Sequence, residues 1–160
     1  MNGFRIALLV PMPLIIDLAT KLEVSGVRVS LLITGALGLA YSVEILRSGI
    51  SSAGGSFLVS AFIFLSLMAF IKSGTFMISI FLGFVISFVL ATLLISSKIP
   101  GYTIKLVNLA FSGLFIFLVI FRSSLSAPLF EQIIALLFLF WYYAFVFNLK
   151  RLSSKPINSH

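Results

Sequence analysis

The sequence predicts an all-α fold, a polytopic bundle of transmembrane helices with about six spans. Three observations predict it. Of the 160 residues, 61% are hydrophobic and 9% are charged, and the mean hydropathy is +1.24; a soluble domain carries about a quarter charged residues. Residues 75–95 hold no charge, no proline and no long polar side chain, and at about 1.5 Å per helical residue they reach roughly 31 Å, the thickness of a bilayer's hydrocarbon core. Finally, Lys and Arg stand mostly singly between apolar runs, as flanks that set topology and touch lipid headgroups.

Span one is read over residues 6–22. Arg5 and the apolar run after it have the outline of a signal peptide, but Asp17 and Lys21 interrupt the run and no A-x-A cleavage pattern follows. Pro11 and Pro13 each lack a backbone donor, so this span should kink or split. A re-entrant or interfacial segment is the alternative reading. Loop one, residues 23–27, is short and contains Ser25 and Gly26.

Span two covers residues 28–46, with Ser30, Thr34, Gly38 and Ser42 at four-residue spacing. Such spacing lays a low ridge along one helix face, which lets another membrane helix approach closely. Residues 48–56 read as the flexible linker of the chain, rich in Gly and Ser. Span three runs over residues 57–71, longer if Ala53 is helical. Lys72, Ser73 and Gly74 leave room only for a helical hairpin into span four, residues 75–95. Span four repeats the ridge with Ser79, Gly83, Ser87 and Ala91, and the two ridges are expected to pack spans two and four together. The simpler reading is that small residues are common in membrane helices.

Loop four, residues 96–103, carries the Pro100-Gly101 turn signal. Span five, residues 104–121, places Asn108 and Ser112 one turn apart on one face. Loop five, residues 122–128, ends in a plausible helix start at Ser126 and Pro128. Span six is residues 129–149. The whole of 1–149 is then a single transmembrane domain, followed by a polar, frayed tail over 150–160.

Six spans put both termini on one side, together with Arg5, Arg47, Lys98, Lys105, Lys150, Arg151 and Lys155. Lys21, Arg28, Lys72 and Arg122 fall on the other. The bias favours cytoplasmic termini in a plasma membrane. No internal repeat of the inverted-transporter kind is visible.

Candidate functional groups are few. The net charge of +7 forms no basic stripe that a nucleic acid could follow. Cysteine is absent and the single histidine is His160, the last residue. Thiolate metal sites, iron–sulfur clusters and a Ser–His hydrolase are thereby excluded, and no cofactor is expected. An intramembrane aspartyl protease needs two aspartates, and Asp17 is the only one. No phosphate loop or dinucleotide fingerprint occurs, so an enzyme is not expected.

Ionisable groups near membrane depth are functional candidates by default. Asp17 has Lys21 four residues on, either a proton or cation site beside a broken helix or a snorkelling ion pair. Glu44 lies three residues before Arg47 on the termini side, where Arg47 and Arg5 are its natural partners. Glu131 falls in the first turns of span six, where the helix dipole favours a carboxylate. Trp141, Tyr142 and Tyr143 are the one aromatic cluster with polar handles. They read either as an interfacial belt, though slightly deep for one, or as a surface facing the bundle or a partner. A quinone or lipid slot there is the least favoured idea.

These features point to a small cofactor-free integral membrane subunit that supports a larger membrane complex, with other membrane subunits and lipid as partners. Respiratory and other energy-converting complexes contain such accessory subunits, which is an association rather than a physical argument. The alternative is a small transporter or channel for a solute or ion, using Asp17 at the broken first span.

Overall fold

The computed structural model describes residues 2–20, 24–71, 75–99, 102–121 and 127–153. Among the described residues the elements are all helices: α1 (Asn2–Leu9), α2 (Met12–Thr20), α3 (Val24–Arg47), α4 (Ser52–Met68), α5 (Thr75–Ser97), α6 (Tyr102–Ile120) and α7 (Ala127–Ser153). Three are long and apolar enough to cross a membrane, over Val27–Arg47, Phe76–Ser97 and Tyr102–Ile120. Ser52–Met68 and Gln132–Phe147 are shorter apolar stretches.

The first apolar run forms two helices. In an uninterrupted helix the carbonyls of Ala7 and Leu9 would accept from residues 11 and 13, but both are prolines without an N–H. The last bond on the α1 side is Val10 N–H to Ile6 O at 3.1 Å, and the ladder resumes with Ile15 N–H to Pro11 O at 3.0 Å.

Helix α3 starts at Val24, inside the segment expected as loop one. At its other end Gly49 has φ +70°, a left-handed conformation that glycine adopts without steric cost, and its N–H reaches Leu46 O at 3.2 Å. Ser51 then caps α4: its backbone is extended and its hydroxyl accepts from Gly54 N–H at 3.1 Å. The Gly–Ser stretch expected as a linker is therefore largely the first turns of α4. Its glycines are there for closeness. A Cβ on Gly54 would lie 2.6 Å from Ile95 Cγ1, and one on Gly55 would lie 2.5 Å from Leu46 Cδ2.

Helix packing follows chain order and then closes on itself. Each helix from α3 to α7 lies beside the next, and α1 lies against both α3 and α7, so that α1, α3, α4, α5, α6 and α7 form a closed ring. Helix α2 rests mainly on α3. Aromatic side chains bridge the interior: Phe84 and Phe138 (5.4 Å between centroids), Phe88 and Phe138 (5.1 Å), and Tyr41 and Tyr142 (6.3 Å). Phe62, Leu58 and Ala61 of α4 complete this core. The closing contact joins the two ends of the chain, Phe4 edge-on to Phe147 at 6.0 Å with the Lys150 ammonium 4.1 Å above the Phe4 ring.

The two small-residue ridges are not paired with each other through their glycines. Helix α4 packs against both α3 and α5. Gly38 and Gly35 face Phe62 and Ser66 of α4, and Gly83 faces the Phe64 ring, where a Cβ would stand 3.0 Å from Cζ. Short connections make α4 the hairpin partner of both neighbours, and it lies between them.

Three hydroxyls on α3, α4 and α5 turn back on their own helices. Ser42 donates to Gly38 O at 2.7 Å, Ser66 to Phe62 O at 2.9 Å and Thr92 to Phe88 O at 3.0 Å. A buried hydroxyl satisfied in this way needs no partner on another helix.

Candidate functional site

The groups singled out in the sequence fall in different parts of the fold. Ser30, Thr34, Gly38 and Ser42 are all buried along α3. On α5 the ridge changes along its length: Ser79 is exposed, Gly83 is half-buried, and Ser87 and Ala91 are buried. Asp17 is half-buried on α2, with its Oδ1 enclosed and without a hydrogen-bond partner. Its expected partner Lys21 lies outside the described residues. Glu44 is half-buried and Arg47 exposed, and among the described residues no ion pair links Glu44 to Arg47 or to Arg5. Glu131 belongs to α7, and its side chain lies outside the described residues. Asp17 and Glu44 are thus not brought together.

A different constellation is assembled instead. Asn108 of α6 is fully buried and is the hub of polar contacts among three helices. Its Oδ1 accepts from Trp141 Nε1 of α7 at 3.0 Å. Its Nδ2 donates to Ser96 Oγ of α5 and to the Thr92 carbonyl at 3.4 Å. An indole N–H can only donate, which fixes the amide with its oxygen toward Trp141 and its nitrogen toward α5. Ser96 in turn donates to Thr92 O at 2.5 Å, and Ser112 donates to Asn108 O at 2.7 Å.

The indole is held by rings on every side that matters for its tilt. Phe88 meets it edge-on at 4.8 Å and 85°, Phe111 lies parallel at 6.3 Å, and Phe115 is tilted at 5.6 Å. Trp141 and Tyr142 are both fully buried, so this aromatic cluster faces the bundle and does not form a belt at the membrane surface. Only Tyr143 is half-buried, beside Phe147.

Chemically the node is a latch. Both amide hydrogens of Asn108 are used, its oxygen is engaged, and no group in it titrates near neutrality. It ties α5, α6 and α7 where a bare apolar contact would leave their relative rotation loosely specified. The sequence carried part of this signal, the Asn108/Ser112 spacing. Thr92 and Ser96 were missed, although they share one face of α5 at a four-residue interval.

Among the described residues, Thr34 Oγ1 and the Tyr142 hydroxyl are also enclosed without partners. On the outside, an open apolar groove of about 340 Å³ runs between α2 and α3, with Met12, Pro13 and Ile16 on one wall and Ser30, Ile33 and Leu37 on the other. Among the described residues no group of three or more His, Asp or Glu side chains could hold a metal ion. Comparison of the chain with known protein families, with curated proteins and with solved structures finds no match.

Proposed function

We propose that the chain is a small, cofactor-free integral membrane subunit that supports a larger membrane assembly. In this reading it crosses the plasma membrane six times, α1 and α2 together making the first crossing, with both termini cytoplasmic. The observation that carries it is the division of the bundle between a core of buried aromatic and aliphatic side chains and an apolar exterior. The interior holds aromatic rings and one saturated polar node, which favours a packing role over a conducting one. Outside, α6 buries only Ile104, Asn108, Ser112 and Phe115. It turns Leu106, Leu109, Leu114, Ile116, Phe117 and Ile120 outward, a surface suited to lipid and to neighbouring helices.

The experiment is native purification in mild detergent followed by mass spectrometry. Partners that co-elute at fixed stoichiometry support the subunit reading. The chain alone, or only copies of itself, with solute or ion flux in proteoliposomes, overturns it in favour of a transporter. That second reading draws on Asp17, whose enclosed, unpartnered Oδ1 sits on the short helix after the proline break.

A further inference from the structure

We infer that α2 is a hinged strap, which rocks on α3 about Val10–Pro11 while α1 stays docked against α7. The two halves of the first apolar run are held very differently. On the fixed side Ala7 and Val10 are fully buried, and Phe4 is clasped between Phe147 and the Lys150 ammonium. On the strap side no residue of α2 is fully buried, and Met12 and Ile16 are exposed. A segment with few buried apolar contacts opens at lower free energy than the elements it rests on.

The seat itself is incomplete. The groove of about 340 Å³ opens between α2 and the exposed Ile33 of the α3 wall, so the contact of α2 with α3 is not close along its whole length. In the same helix, Asp17 Oδ1 is enclosed without a hydrogen-bond partner among the described residues. Both features disfavour one rigid seated position. The break supplies the joint, since Pro11 and Pro13 remove two of the four backbone donors that would couple the helices across it. Rocking changes the access to Asp17 on α2 and to Ser30 in the α3 wall of the groove. The inference rests on packing alone and applies equally to a subunit and to a transporter.

Because the chain has no cysteine, spin labels attach only where cysteines are introduced. Two doubly labelled proteins in lipid nanodiscs test the strap by electron–electron distance measurement: Ile16→Cys with Leu109→Cys for α2, and Arg5→Cys with Leu109→Cys for α1. All three sites are exposed. The α1 pair should give one narrow distance distribution. The α2 pair should give two maxima or a distribution at least about twice as wide, the signature of hinge motion about a joint. Equal widths overturn the inference. Adding Pro11→Ala and Pro13→Ala restores both donors and should narrow the α2 distribution toward that of α1; undiminished breadth overturns the placement of the hinge. If the double alanine protein does not purify as a single species, the comparison of the two pairs with the native hinge still decides.

Discussion

At Asn108 a single side chain engages three helices, and its energetics follow from which atoms a substitution strands. Asn108→Ala leaves the Trp141 N–H buried without an acceptor, which costs about 1–3 kcal/mol. Trp141→Phe strands Asn108 Oδ1 and opens a cavity among Phe88, Phe111 and Phe115, so its loss should be at least as large. In the double variant Asn108→Ala with Trp141→Phe no polar atom of that bond remains, and the combined loss should be smaller than the sum of the single losses. Thermal unfolding in one detergent, run as a double-mutant cycle, measures the coupling. Glu44→Gln should shift stability by less than about 0.5 kcal/mol, because among the described residues no ion pair holds the carboxylate. A large loss would mean that Glu44 has a partner in the assembled state. What was legible at this scale was type and spacing. The Asn108/Ser112 face could be read directly, but the direction of Trp141 could not, since depth along a helix says nothing about which side of it faces the ring.

At the scale of elements, the glycines grade the helix contacts. A Cβ at Gly38 would overlap the Phe62 ring, one at Gly83 would only press on Phe64, and one at Gly113 would meet nothing within 4 Å. Alanine scanning should therefore run from destabilising at Gly38, by about 1–3 kcal/mol, through a smaller loss at Gly83. At Gly113 the substitution should stabilise by up to about 1 kcal/mol, because alanine is the better helix former. Leu82→Phe, at the rim of α5, should be tolerated. Thermal midpoints in the same detergent give the order, and equal effects at all three glycines would refute it. The helical class and most helix positions were legible because hydropathy and proline report on them locally. The partner of each ridge was not. Gly54 and Gly55 look like linker residues until Leu46 and Ile95, distant in sequence, are placed against them, and the ridges of α3 and α5 resemble each other without touching through their glycines.

For the whole molecule, the reading of six crossings makes a prediction about sides. Phe4 lies beside Phe147, Leu46 beside Gly55 and Ile95 beside Gly54, which gathers Arg5, Arg47, Lys98 and Lys150 toward one end. Single cysteines at Arg5, Ser48 and Ser97 should react with a membrane-impermeant reagent from the cytoplasmic side, and those at Thr20 and Phe70 from the opposite side. If Arg5 and Thr20 react from the same side, α1 and α2 do not cross together. The closure of the ring between α1 and α7 also sets an order of biogenesis. Helix α1 precedes α7 in the chain by more than a hundred residues yet is its neighbour, so the ring cannot close until α7 has been made. Until then the nascent protein is an open arc with two unsealed edges, and a chaperone or insertase of the membrane has an interval in which to hold them. A ribosome-stalled chain ending before Ala127 should leave a cysteine introduced at Phe4 open to chemical labelling, and extension of the chain through α7 should abolish it.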